Sequence, residues 1–157
     1  MVKSKFSSLS LVRRKKLTRT HMPNAKKFGT VAVGTKKYKH GISKVESEWV
    51  KKVGFPETSK VIYGYNGKII IVDGWNQATN TIGEFLGSNW HGDHRVLKEN
   101  RDKPLWIGKT PNQLYNETVA RFNFLYKLGF KIYFVWESDY KKGILGRYYR
   151  GPGDNLY

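Results

Sequence analysis

A mixed α/β domain is the fold class this sequence predicts, and three observations carry the prediction. Two helix starts are announced by capping signals, Ser43-Lys44-Val45-Glu46 and Thr110-Pro111-Asn112-Gln113. Four β-rich runs, Lys60–Tyr65, Lys68–Val72, Thr81–Leu86 and Phe130–Trp136, are distributed around them. The resulting order of helix, three strands, helix, strand reads as a mixed sheet flanked by helices. At 157 residues the chain is long enough for one domain with a real core and too short for two.

In the first helix Val45, Trp49 and Val53 share a face, and Gly54 ends it. The next two runs flank Asn66-Gly67, the strongest short hairpin signal. Asn76–Asn80 is a turn before the third strand, and the polar loop 87–109 is long enough to suggest function. The second capping signal carries Pro at the first helical position. Leu114, Thr118, Phe122, Leu125 and Tyr126 then line one side of a helix through Leu128, with Glu117 and Arg121 spaced for an i,i+4 pair and Gly129 as the C-cap. Phe130–Trp136 is apolar enough to be buried on both faces. Residues 137–157 are polar and rich in Gly and Pro, and are expected to wrap the surface or fray.

The net charge of +17 and a pI near 10.0 point to a polyanionic partner. The charge is uneven, for no Asp or Glu precedes Glu46 while Arg13, Arg14, Lys15, Lys16, Lys26, Lys27, Lys36 and Lys37 crowd the first forty residues. Residues 1–41 therefore read as a basic arm that contacts nucleic acid, with a short helix near residues 8–17, before a core at 42–139 and a tail at 140–157. DNA is the expected partner and RNA the second choice. An acidic membrane surface is disfavoured because no basic amphipathic helix with a continuous apolar face is evident. The absence of cysteine removes disulfides and thiolate metal sites, and fits a reducing intracellular setting such as host cytoplasm, nucleus or a virion. The opening residues also resemble a mitochondrial presequence in being basic and acid-free.

Acids are scarce, so two at strand positions stand out. Asp73 ends the apolar run Ile69–Val72 and Glu84 sits in the next strand, where the two could converge on a hard cation such as Mg²⁺. The alternatives are a turn-forming Asp before Gly74 and an outward-facing Glu. Trp90-His91-Gly92-Asp93-His94 follows, with two histidines and an acid that could bind metal or supply a general base.

Taken together, Asp73-Gly74-Trp75, Thr79-Asn80-Thr81-Ile82-Gly83-Glu84-Phe85-Leu86-Gly87 and Trp90-His91-Gly92 resemble the central motif of nucleases related to very-short-patch repair endonucleases. Homing-type endonucleases of phages and large DNA viruses share it, within the PD-(D/E)xK superfamily. Upstream Glu46 and Trp49, and downstream Thr118, Arg121, Gly129 and Val135-Trp136-Glu137, fit the same pattern. The resemblance implies a restriction-endonuclease-like sheet and a Mg²⁺-dependent DNA endonuclease. It implies Asp73 as main metal ligand, Glu46 as an outer ligand and Glu84 as a further catalytic acid. His91 would be the general base or leaving-group acid, and Trp90 an aromatic wedge in the base stack. A His91 with an ordinary pKa would make activity rise across about pH 6 to 7. The superfamily's Lys is replaced by Leu86, where the repair branch carries a histidine, and that branch's zinc-binding cysteines are missing. A non-catalytic DNA-packaging protein on a nuclease scaffold is the alternative, and an RNA-binding assembly protein a further one.

Overall fold

The computed structural model describes residues 18–19, 32–37, 43–63, 69–98, 102–105 and 107–157. It is a mixed α/β fold whose sheet runs in simple sequence order. The strands are β1 (Thr18–Arg19), β2 (Ala32–Lys37), β3 (Glu57–Tyr63), β4 (Ile69–Asn76), β5 (Thr81–Leu86), β6 (Lys131–Trp136) and β7 (Arg147–Tyr148). The helices are α1 (Lys44–Val53), the short α2 (Ser88–His91), α3 (Pro111–Lys127) and the short α4 (Glu137–Tyr140). All neighbouring strands are antiparallel except β5 and β6, which run parallel with α3 as the crossover.

Local signals explain the helices. Ser43 Oγ accepts the Glu46 amide at 3.0 Å, and Gly54 closes α1 in the left-handed conformation. Thr110 and Gln113 form the full reciprocal capping box of α3, whose C-cap is Leu128, one residue before the expected Gly129. The Asn66-Gly67 turn lies outside the described residues, but its flanking strands pair antiparallel as a hairpin requires.

Period-two alternation in β6 assigns the two faces of the sheet. Ile132, Phe134 and Trp136 join the larger core with Phe122, Leu125 and Leu128 of α3. Val135, flanked by Tyr133, packs with Trp49 and Val50 of α1 and with Phe85. Phe55, just past α1, presses its ring onto Gly74 and Gly83, where a Cβ would come within 2.7 Å and 2.5 Å of it. Tyr126, expected on the buried side of α3, is exposed instead, because it falls at the stripe's edge.

Two expectations about the ends are corrected. The tail does not fray: Tyr149 and Leu156 are buried, Trp136 Nε1 donates to the Leu156 carbonyl at 2.6 Å, and Asp154 receives Arg147 and Arg150. Tyr149 and Leu156 are seated in the larger core with Tyr157 packed against it, while Ile144, Leu145 and Tyr148 stay exposed. Within the segment read as an arm, residues 18–19 and 32–37 form β1 and β2, so Lys36 and Lys37 stand at the end of a sheet strand. Arg13, Arg14, Lys15, Lys16, Lys26 and Lys27, and the helix expected near residues 8–17, lie outside the described residues. Among the described residues no helix is long and apolar enough to cross a membrane.

Candidate active site

The site begins with a break in the sheet. The β4–β5 ladder stops at the pair Gly74–Gly83, and the β3–β4 ladder passes over the position where Ser59 would face Asp73. Ser59 adopts φ 50°, a left-handed backbone conformation sparsely populated by non-glycine residues and often found at functional sites. Asp73 is thus inside β4, not at its end, and its side chain replaces the missing ladder bond by accepting the Phe85 amide at 2.7 Å. Beyond this point the strands leave a cleft of about 530 Å³. Glu46, Asp73, Glu84, Trp90, His91 and Arg121 all line it. Sequence-distant candidates from α1, β4, β5 and α2 therefore meet at one place.

The three carboxyls share an electrostatic problem. Burial first, then repulsion from Glu84 and Glu46, pushes the Asp73 carboxyl well above its usual range, against the Phe85 amide and Arg121. Burial also raises Glu46, whose carboxyl is drawn down by the Ser43 backbone N–H, raised by Glu84, and hydrogen-bonded to Asp73. Glu46 stands in the first turn of α1 and lines the cleft. Glu84 is 2% exposed, so it is neither outward-facing nor free. Arg121 Nη2 donates to its Oε1 at 2.6 Å and also to the Ile71 carbonyl. Burial raises the Glu84 carboxyl and the Arg121 guanidinium draws it back.

His91 ends α2, and its Nδ1 lies 3.0 Å from Thr118 Oγ1. The Thr118 hydroxyl donates its one proton to the Leu114 carbonyl at 2.9 Å. Nδ1 must then be the donor in the His91–Thr118 contact, which leaves the lone pair on Nε2. Burial, reinforced by the Arg121 charge, pushes the imidazole pKa down to about 3. The expected titration between pH 6 and 7 is corrected accordingly, for this histidine is neutral throughout that range.

Asp93 and His94 leave the site. Asp93 is buried against Arg95 and Ser138, and Arg95 continues to Asp139. His94 lies against the rings of Tyr115 and Tyr157, at 4.9 Å and 6.0 Å. Trp90, by contrast, is 58% exposed on the rim. The expected Glu117–Arg121 pair is also corrected, since Glu117 takes Lys109 and Arg121 takes Glu84. The partner switch follows from position. Arg121 is three residues after buried Thr118 and so shares its inward side, where a cation requires a buried anion. That spacing is the signal by which Arg121 was findable in the sequence. Glu137, also on the cleft, sits within reach of the Ser88 amide at 3.4 Å.

Among the described residues no three His, Cys, Asp or Glu side chains are grouped to hold a metal ion. Mg²⁺ does not require such a group, because it is usually bound by one or two carboxylates with waters and substrate phosphate completing its shell. Asp73 and Glu46, two carboxyls that line one cleft and are raised by burial, are the residues that could hold such an ion. Comparison of the chain with protein-family models, with curated proteins and with solved structures found no match.

Proposed function

We propose that this protein is a Mg²⁺-dependent endonuclease that hydrolyses phosphodiester bonds in duplex or branched DNA. The observation that carries the reading is the meeting of Asp73, Glu46, neutral His91 and exposed Trp90 at one cleft on a strongly basic chain. The resemblance of its central motif to very-short-patch-repair-like and homing-type endonucleases supports the same conclusion, as does the mixed sheet, which suits a restriction-endonuclease-like core.

In this reading Asp73 and Glu46 hold the cation, which supplies charge stabilisation at the scissile phosphate when bound. His91 Nε2 accepts the proton of the attacking water, and Thr118 fixes the ring so that this nitrogen stays bare. Burial, reinforced by the Arg121 charge, keeps His91 neutral, and Arg121 also compensates Glu84. Trp90 enters the base stack and opens the duplex beside the cut, at a cost of a few kcal/mol. Residues 1–41 supply affinity through phosphate contacts, which carry no sequence information by themselves.

A plasmid-nicking assay with Mg²⁺, with EDTA and with Asp73→Asn tests the proposal. The wild type should nick with Mg²⁺ alone, and Asp73→Asn should bind DNA but not cut. DNA binding without cleavage of plasmid or branched substrates in any divalent cation would leave the packaging-protein alternative and end the enzyme reading.

A further inference from the structure

The end of the sheet away from the carboxylates carries a second concave surface. It is a notch of about 620 Å³ between the C-terminal end of α3 and β7, lined by Tyr126, Phe130, Lys131, Tyr148 and Tyr149. Tyr126 is 40% and Tyr148 55% exposed, which is unusual for large rings grouped in one place. Both are held in defined orientations. Tyr126 meets Tyr149 edge-on at 5.7 Å, and Tyr148 meets Tyr133 at 5.1 Å and 70°. Tyr149 is itself anchored through its hydroxyl to Asn123. A T-shaped contact covers at most one face of the Tyr148 ring, so a flat partner has room on the other.

A smaller hollow of about 180 Å³ also borders Tyr148, with Phe55, Asn76, Thr81 and Tyr133 in its walls. Tyr148 is therefore a ridge between two depressions. Lys131 lines the notch and is exposed, Lys127 is exposed next in sequence to Tyr126, and no carboxylate lines the notch among the described residues. The nearby Asp154 is occupied by Arg147 and Arg150.

We propose that this notch binds unpaired bases of single-stranded DNA, with Tyr148 as the stacking ridge and Lys127 and Lys131 as phosphate contacts. Rigid exposed aromatics beside cations are how strands are held without sequence preference, because every base has a π-face. A duplex offers no free base face, so the site selects unpaired nucleotides. Thr81, at the notch end of β5, is three residues from Glu84, about 10 Å at the strand rise. A strand displaced at the cleft by Trp90 thus has a nearby surface to rest on. The inference rests on the nucleic-acid reading above and deepens it by naming the form of DNA that the far end recognises.

Fluorescence anisotropy with labelled oligothymidine and with a duplex of equal length, both in EDTA, separates the outcomes. Tyr148→Ala should weaken oligothymidine binding about 5- to 150-fold, the worth of one stacked base, while Tyr148→Phe retains it. Duplex affinity should stay unchanged, and the melting temperature should fall by no more than about 6 °C, the worth of the Tyr148–Tyr133 pair. Lys131→Ala should lower the salt slope by about 0.7 for a single strand. Oligothymidine affinity unmoved by Tyr148→Ala overturns the inference. So does sedimentation showing a dimer that Tyr148→Ala dissolves, which would assign the notch to a second copy of the chain. Wild-type protein that binds duplex but not oligothymidine ends this inference alone, whereas binding to neither ends the nucleic-acid reading as well.

Discussion

Replacing Arg121 by Met should be the most destabilising single change at the cleft, and the loss should be reversible by a second mutation. The guanidinium donates to Glu84 and to the Ile71 carbonyl. Its removal leaves a carboxylate of 2% exposure without a countercharge. Breaking one side of a buried pair costs about 3–5 kcal/mol. In a domain of this size each 1 kcal/mol is about 2–4 °C, so the melting temperature should fall by about 6–20 °C. The loss should grow with pH. Without Arg121 the Glu84 carboxyl, already raised by burial, rises further, so its ionisation opposes folding above the unfolded value near 4.5. Urea unfolding followed by the fluorescence of buried Trp49, Trp75 and Trp136, at pH 5 and pH 8, measures both effects. Arg121→Met/Glu84→Met should recover much of the stability, with a coupling toward the upper end, about 3 kcal/mol, of that found for residues in contact. A single variant that loses under 1 kcal/mol at pH 8, or a double variant no better than the single, would refute the buried-pair argument.

Four further expectations follow. His91→Ala should reduce cleavage about 10²–10⁴-fold, while His94→Ala leaves the rate per folded molecule nearly unchanged. With the His91 pKa near 3, the wild-type rate should show no histidine step between pH 6 and 7; such a step, abolished in His91→Ala, would contradict the enclosure of the ring. Asp73→Asn should melt higher than wild type at pH 8, because ionised Asp73 opposes folding above the unfolded value near 3.8, and the gain should vanish toward pH 4. Calorimetry decides it at about 2–4 °C per kcal/mol, and a lower melting point at pH 8 would show that Asp73 is a net stabiliser. Deleting residues 1–17, which spares β1 and β2, should lower the duplex salt slope by up to about 0.9 for each of Lys3, Lys5, Arg13, Arg14, Lys15 and Lys16 that contacts phosphate, without unfolding the domain as followed by its thermal transition.

What was legible in the sequence was local. Ser43, Thr110 and Gln113 fix helix starts through bonds three residues away, and the alternation in Lys131–Trp136 fixes two faces by pleat alone. The convergence of Asp73, Glu46 and His91 was legible through the motif resemblance, since nothing within a few residues of any of them announces the other two. The ladder break was not legible. Asp73-Gly74 reads as a turn, and the pairing that carries β4 on to Asn76 depends on Glu57 and Thr58 of another strand. Arg121 illustrates the same limit, for helical spacing offered Glu117 while tertiary burial selected Glu84. The tail was misread because composition counts polar residues, whereas Tyr149 and Leu156 act through where they are seated.

The contact of Phe55 with Gly74 and Gly83 has a consequence for how this sequence can drift. The three positions share one fixed volume, so they form a single heritable unit spread over thirty residues of chain. A methyl group at either glycine requires a smaller residue at 55 before it can be accommodated. A smaller residue at 55 in turn loosens the seam where α1 meets the sheet, and Glu46 rides on the first turn of that helix. Drift at two glycines with no polar atom in their side chains is thereby tied to the spacing of two carboxyls at the other end of the helix. Homologues that keep Glu46 and Asp73 should vary at 55, 74 and 83 together, and those that have lost the acids should vary there independently.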